Sequence, residues 1–64
     1  MRFILPDRST RDIDHAPATV DALLREFGLN PVEVLVSRNG TLVPGDALAL
    51  NTDEIRIIRI AHGG

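Results

Sequence analysis

The first half of the chain carries two extended patterns followed by one helical pattern. Residues 2–6 are mainly aliphatic or aromatic and end at a proline, which predicts a strand. Turn residues follow at 6–9, so residues 10–14 are predicted to return as the second strand of a hairpin. Over residues 19–27 the apolar positions recur at helical spacing, which predicts a helix with a single apolar stripe of Val20, Leu23, Leu24 and Phe27.

Local residues define the ends of this helix. Thr19 is expected to cap its first turn through the hydroxyl, and Gly28 is expected to end it in the left-handed conformation. Leu29 is expected to fold back on Leu24, as the hydrophobic contact that accompanies such an end. Pro31 then follows, which a helix does not pass easily.

The next pattern predicts a half-buried strand and a hairpin. Apolar and polar residues alternate over 32–37, although Leu35 interrupts the alternation. Asn39 and Gly40 are a strong signal for a two-residue hairpin turn, which leads into a short strand at 42–43. Residues in this part of the chain are therefore expected to lie in the same sheet as the first hairpin.

The last part of the chain predicts a loop over residues 47–53, with Leu48 and Leu50 partly buried, and an isoleucine-rich strand over 54–61. The order of elements predicts an α+β fold of the β-grasp type: a mixed four- to five-stranded sheet with one helix packed across one face. Its first and last strands are expected to be parallel neighbours at the centre of the sheet. We expect one domain over 1–61 and a flexible tail over 62–64.

One helix covers only one face of the sheet, so the other face is expected to meet solvent or a partner. If Phe3 and Ile57 face the helix, alternation turns other residues of the first and last strands outward. These outward residues are predicted to form a partner-docking patch, with arginines flanking the isoleucines: Ile4, Arg56, Ile58, Arg59 and Ile60. Single isoleucines scattered over a surface would need no such explanation.

Composition narrows the function classes. Nine acidic residues stand against seven arginines and no lysine, a net charge of −2, which excludes the strong basic patch needed for non-specific nucleic-acid binding. Cysteine is absent, which excludes disulfides, thiolate metal sites and a cysteine nucleophile. Only His15 and His62 titrate near neutral pH, and His15 is expected to be exposed. We therefore expect no enzyme, no catalytic residue and no metal site.

The chain has no apolar run near the roughly 20 residues of a membrane span. Its N-terminal segment has too short an apolar core for a signal peptide. These features predict a cytoplasmic protein without membrane contact. We separately expect a monomer.

Gly63 and Gly64 form an end without side chains, which can enter a slot too narrow for other residues. A carboxylate delivered in this way into another protein's active site can be activated as an acyl-adenylate and then attacked by sulfur or nitrogen. Chain ends are also commonly frayed, so a terminal Gly-Gly by itself supports no function. His62 precedes the glycines and is assigned to the partner-binding surface. Assistance to acyl transfer is one role open to it there, and a solvated spacer is the more common role of such a residue.

Together these features resemble the ubiquitin-like sulfur carriers of the ThiS/MoaD superfamily over the whole chain. In detail the chain is most similar to the archaeal ubiquitin-like small modifier proteins and their bacterial tRNA-thiolation counterparts. The residues that carry the resemblance are Thr19-Val20, Phe27-Gly28-Leu29-Asn30-Pro31, Glu33-Val34, Asn39-Gly40, Val43-Pro44 and Ile57-Ile58-Arg59-Ile60 before Gly63-Gly64. Arg38 departs from the apolar residue that such families often place before the Asn-Gly turn.

The resemblance implies a carrier mechanism. An ATP-dependent adenylating enzyme of the ubiquitin-activating type would activate the Gly64 carboxylate, and a sulfur donor would convert it into a thiocarboxylate. The sulfur would pass to a tRNA-thiolation enzyme or to a synthase of the thiamine or molybdopterin type. The chain would be a co-substrate without a bound cofactor, because it has no glycine-rich phosphate loop and the partner would bind the ATP.

Two alternatives stay open. As a protein modifier, the chain would acylate lysines of target proteins through the same activated Gly64. It would receive no lysine-linked branch itself, because it has no lysine. As a β-grasp binding module, it would work equally well without Gly63 and Gly64.

Overall fold

The structure is a computed structural model that describes residues 1–60. Within this range the chain forms seven strands, one α-helix and one 3-10 helix. In chain order these are β1 (Arg2–Ile4), β2 (Thr10–Asp12), β3 (Ala18–Thr19), α1 (Val20–Glu26), the 3-10 helix (Pro31–Glu33), β4 (Val34–Arg38), β5 (Thr41–Val43), β6 (Leu48–Ala49) and β7 (Glu54–Arg59). Ala61, predicted to end the last strand, and the predicted tail 62–64 lie outside the described residues.

Five strands form the main sheet, in the order β2-β1-β7-β4-β5. β1 and β7 are parallel neighbours, and each of the other pairs is antiparallel. The chain between the parallel strands contains α1, which supplies the long crossover that parallel pairing requires. The structure thus confirms the predicted α+β fold, a ubiquitin-like β-grasp with a mixed sheet and one helix.

The core lies between α1 and one face of the main sheet. Val20, Leu23 and Leu24 of the predicted helical stripe are buried, and Phe27 is half-buried. From the sheet, Phe3 is fully buried, and its ring centroid lies 4.7 Å from that of Phe27. Ile55 and Ile57 complete the centre of the core from β7. Burial of this apolar surface is the main force that holds the two layers together.

Both ends of α1 form as predicted. The Thr19 hydroxyl oxygen accepts a hydrogen bond from the Ala22 N–H at 3.2 Å. Gly28 has a φ of +74°, and the Leu29 N–H donates to the Leu24 carbonyl at 2.8 Å, which is the pattern of a Schellman motif. Within residues 1–60, no helix is both long and apolar enough to cross a membrane.

The Asn39-Gly40 turn also forms as predicted. Asn39 and Gly40 have φ values of +51° and +88°, the left-handed conformation that a tight hairpin turn requires at both central residues. Arg38 pairs with Thr41 on either side of the turn. The Asn39 side chain adds two hydrogen bonds to the start of β7: its amide donates to the Asp53 carboxylate at 2.9 Å, and its oxygen accepts from the Glu54 N–H at 2.9 Å.

The first hairpin is shorter than predicted. The strand predicted over 2–6 ends at Ile4, because Leu5 already belongs to the turn: its N–H donates to the Ser9 carbonyl and its carbonyl accepts from the Arg8 N–H, both at 2.8 Å. The second strand ends at Asp12 rather than at residue 14.

The prediction that a strand begins at Val32 is wrong. Pro31–Glu33 forms a 3-10 helix, and the Val32 side chain is 79% exposed. Asn30 and Pro31 explain this local structure: the Asn30 side chain accepts from the Val32 N–H at 3.0 Å, and proline fits the first position of a helical turn.

The loop predicted over 47–53 contains a strand that the sequence pattern missed. β6 pairs with β3 in a small second sheet beside the start of α1. Leu48 and Leu50 are 49% and 43% exposed, so each is only partly buried, and Ala49 between them is fully buried. A single buried alanine is too small to stand out in a hydrophobicity pattern.

Candidate functional site

The face of the main sheet away from α1 carries both apolar and polar side chains. A row of paired residues crosses it from β2 to β5: Thr10, Ile4, Arg56, Ser37 and Leu42. One step further along β7, Ile58 pairs with Leu35 of β4. Because paired residues share a face, the apolar members of these rows form one surface. We call Ile4, Leu35, Leu42 and Ile58 the open patch.

The open patch is accessible in the structure. Leu42, Leu35 and Ile58 are 61%, 47% and 41% exposed, and Ile4 is half-buried. Surface isoleucines and leucines are common as single residues, but here they lie on four neighbouring strands of one sheet. Grouped apolar residues of this kind are typical of a protein-protein contact surface.

Three of the residues predicted to meet a partner lie together on this face: Ile4, Arg56 and Ile58. Arg59 pairs with the buried Val34 and so belongs to the helix side of the strand, although it is exposed at the last position of β7.

The last predicted residues of the site lie at the end of the described chain or outside it. Ile60 is half-buried, and its N–H donates to the Glu33 carbonyl at 2.9 Å. His62, Gly63 and Gly64 lie outside the described residues, so their predicted roles stay predictions.

Leu35 and Leu42 belong to the open patch and were not among the predicted site residues. Leu35 interrupts the alternation of apolar and polar residues along its strand because it is an apolar residue at an outward position. Leu42 shares the face of Ser37 because the Asn39-Gly40 turn has two residues and so fixes the register of β4 and β5. The turn signal was therefore sufficient to place Leu42 outward.

The opposite end of the open face is acidic and partly neutralised. Arg2 donates from Nε to the Asp12 carboxylate at 3.0 Å, which raises the pKa of Arg2 and lowers the pKa of Asp12. Close by, the Leu50 N–H and the Asn39 amide donate to the Asp53 carboxylate and lower its pKa. These acidic groups stay ionised at neutral pH.

His15 lies on the helix side of the molecule, and the expectation that it is exposed is wrong. It is half-buried, and Nδ1 and Nε2 lie 2.6 Å from the Ala16 carbonyl oxygen and 2.7 Å from a Glu26 carboxylate oxygen. The Ala16 carbonyl first, and then Glu26, raise the pKa of His15, because two acceptors favour the imidazolium with both nitrogens protonated. Within residues 1–60, no cluster of His, Asp and Glu is arranged to hold a metal ion.

The family model for small archaeal modifier protein 2 matches residues 4–61. The chain belongs to this family. The match agrees with the resemblance to archaeal ubiquitin-like small modifiers, and it places the chain among small modifier proteins rather than among catalysts. A search of curated proteins with the same chain gives no match.

In this family member, the departure at Arg38 has a structural role. Its Nη1 donates to the Leu48 carbonyl at 2.7 Å and so connects β4 of the main sheet with β6 of the second sheet. An apolar residue at this position would leave that carbonyl without the hydrogen bond. The departure concerns the end of the domain at the Asn39-Gly40 turn and does not involve the open patch.

Proposed function

We propose that this small modifier is a carrier of sulfur on its C-terminus, activated at Gly64 by an adenylating enzyme of the ubiquitin-activating type. The observation that supports this proposal most is the position of β7. This strand lies between β1 and β4 at the centre of the sheet, carries Ile58 of the open patch, and ends at Arg59, shortly before Gly64. A partner that holds the open patch would thereby also receive the residues that follow β7.

In the proposed activation, a Gly64 carboxylate oxygen attacks the α-phosphorus of ATP, and pyrophosphate leaves. A persulfide on a sulfur donor then attacks the carbonyl carbon of the acyl-adenylate, and AMP leaves. A thiol from the donor or a partner attacks the resulting acyl disulfide, which forms a new disulfide and releases the Gly64 thiocarboxylate. ATP binds to the partner enzyme, and the modifier contributes only the reacting carboxylate.

The absence of cysteine is compatible with this role. A carrier that holds sulfur as a thiocarboxylate needs no thiol of its own, because the sulfur is bonded to the carbonyl carbon of its last residue. The acceptor would be a tRNA-thiolation enzyme or a synthase of the thiamine or molybdopterin type. The thiocarboxylate would act there as a soft nucleophile.

The family assignment favours a second candidate function, conjugation to other proteins. A neutral lysine amine of a target would attack the same activated carbonyl, lose a proton and displace AMP, which leaves an isopeptide bond to Gly64. Both functions share the adenylation step and the open patch, and they differ only in the nucleophile that follows.

Intact-mass measurement of the protein isolated from its native cells tests the proposal. A fraction heavier by the mass difference between sulfur and oxygen is expected, and this fraction should vanish when Gly64 is deleted or followed by an added alanine. Larger conjugates with the same dependence on Gly64 would support the second function instead. If neither species forms, and the deletion variant replaces the native protein in the cell, the chain is a binding module and the proposal is wrong.

A further inference from the structure

A shallow groove of about 650 Å³ lies where the β1–β2 turn meets the end of β7. The apolar part of its wall includes Ile4 and Ile58 of the open patch together with Leu5. Three arginines border the same groove: Arg8, Arg56 and Arg59. The groove therefore combines an apolar surface with a concentration of positive charge.

Arg8 occupies a backbone conformation that costs free energy. Its φ is +70°, in the left-handed region that favours glycine, and it follows the tight turn at the position where glycine is usual in hairpins of this kind. The turn itself is held by other groups, since the Asp7 carboxylate accepts from the Ser9 N–H and hydroxyl at 2.9 and 2.6 Å. Nothing in the turn requires an arginine, so the strain points to a use of its side chain.

The arginines of the groove and a group of carboxylates lie at opposite ends of the main sheet. Among residues 1–60, the ion pairs are Arg2 with Asp12 and His15 with Glu26, and neither includes an arginine of the groove. Four of the nine carboxylates, Asp12, Asp14, Asp53 and Glu54, border a second depression at the start of β7, whereas Asp7 lies in the β1–β2 turn and accepts hydrogen bonds from Ser9. A chain with a net charge of −2 thus presents a basic end beside the open patch.

We propose that this groove binds an acidic segment of a partner protein, with an apolar side chain against Ile4 and Ile58 and carboxylates on the arginines. Arginine suits this ligand because its planar guanidinium donates two parallel hydrogen bonds to a carboxylate. This proposal rests on the proposed function in one respect only, namely the identity of the partner that carries the acidic segment. The binding itself requires no chemistry at Gly64.

An acidic protein segment fits the groove better than RNA does. Single-stranded RNA is held by aromatic side chains on which bases stack, in addition to positive charge. The two aromatic residues of this chain, Phe3 and Phe27, pack against each other in the core on the other side of the sheet. A phosphate backbone would also offer no apolar group to contact the apolar wall of the groove.

The binding can be measured by titrating the full chain with a capped synthetic peptide of alternating glutamate and leucine. The backbone amide signals of the chain in NMR spectra report the binding. The same peptide with glutamine in place of glutamate is the control ligand. With the glutamate peptide we expect saturable changes in the amide chemical shifts of residues that line the groove, including Thr10 and Arg56. With the glutamine peptide we expect none. The affinity should fall as salt is added, because screening weakens exposed charge contacts.

Three variants separate the role of Arg8 from its effect on the turn. Arg8→Gln should weaken peptide binding about two- to fivefold, the usual range for one exposed charge pair. Arg8→Gly should weaken binding equally while raising the melting temperature, because glycine relieves the left-handed strain. Arg25→Gln removes the same charge from the exposed surface of α1 and should leave binding unchanged.

Several results would overturn the proposal. These are binding of the glutamine peptide as tightly as the glutamate peptide, full binding by Arg8→Gly, or an equal loss of binding in Arg25→Gln. Tighter, arginine-dependent binding of a single-stranded oligoribonucleotide would assign the groove to RNA, and self-association through the acidic end would assign it to a second copy of the chain. A chain that binds the peptide without ever forming a Gly64 thiocarboxylate or conjugate would keep this inference and reject the proposed function.

Discussion

The two faces of the main sheet carry the same types of apolar residue, but these residues are buried on one face and exposed on the other. Ile57 and Ile58 are neighbours on β7, yet Ile57 is 2% exposed beneath α1 and Ile58 is 41% exposed on the open face. Their backbones take part in the same ladder, with Val36 and Leu35 as partners. The difference therefore lies in what covers each face, and a hydrophobic side chain stabilises this fold most where the helix removes it from water.

A domain of this size has little freedom to bury both faces. A chain of 64 residues excludes a smaller fraction of its surface from water than a larger domain does, and the one α-helix within residues 1–60 covers one face of the sheet. The open patch is thus apolar surface that folding leaves available for a partner. This division suits a carrier, because binding through the open face would leave the core unchanged.

Alanine substitutions at Ile57 and Ile58 should show the difference between the two faces most clearly. Ile57→Ala should lower the free energy of unfolding by about 2–5 kcal/mol, because it opens a cavity in the core. Ile58→Ala should cost about 1 kcal/mol or less, since much of the side chain is already in water. Urea titration followed by circular dichroism measures both values. Equal losses would mean that the open face is covered in solution.

Charge on the open patch should affect partner binding rather than folding. In ATP–pyrophosphate exchange by the proposed adenylating enzyme, Ile58→Asp should raise the KM for this chain about thirtyfold. This corresponds to the roughly 2 kcal/mol of a central contact residue. Leu48→Asp is the matched control, because Leu48 is 49% exposed but lies on β6 in the second sheet. An unchanged KM in Ile58→Asp, or the same increase in Leu48→Asp, would remove the open patch from the proposed contact.

The Asn39-Gly40 turn decides which residue of β5 belongs to which face. Its register turns Val43 towards the core and leaves Leu42 on the open face. Asn39→Ala should lower the free energy of unfolding by about 1–2 kcal/mol, because the side-chain hydrogen bonds are lost and because alanine tolerates a positive φ poorly. Asn39→Gly keeps the left-handed conformation and should lower the free energy of unfolding by less than Asn39→Ala does. Equilibrium denaturation measures both values. If the two variants are equally stable, the turn conformation contributes nothing measurable.

The smallest effect concerns His15, which joins the chain before α1 to the end of that helix through Glu26. Its pKa is raised above the ordinary 6.5, so the stabilisation is complete below that pH and is lost as the pH rises through the folded value. The melting temperature should therefore decline slightly between about pH 6 and pH 8.

Two comparisons test this assignment. His15→Gln should lack this slope, whereas Leu42→Ser on the open face should retain it. A slope that persists in His15→Gln would show that another group titrates.

Most of the fold was predictable because its signals are local. The helical spacing of Val20, Leu23 and Leu24, the Thr19 cap, Gly28 and the Asn39-Gly40 turn each act within a few residues, and all of them have the predicted structure. The strand at 48–49 was not predictable in this way. It exists because Ala49 pairs with Ala18, thirty-one positions earlier in the chain, and no local pattern reports such a partner.

The candidate site was predictable in part for the same reason. Alternation along β1 and β7 placed Ile4, Arg56 and Ile58 outward, and the Asn39-Gly40 turn contained the register that turns Leu42 outward. That Leu35 and Leu42 share one surface with Ile4 and Ile58 follows only from the order of the strands. Arg8 carried no signal in the sequence, because its significance lies in a backbone conformation and in its position beside the end of β7.

The sequence by itself determined the helix, its two ends, the Asn39-Gly40 turn and the apolar side of the main strands, since these depend on residue spacing and on the conformational preferences of single residues. Only the tertiary structure decided which apolar side the helix covers and which distant residues share the surface that remains. That choice depends on the packing of elements far apart in the chain, where the free energy of burying one face outweighs local preference.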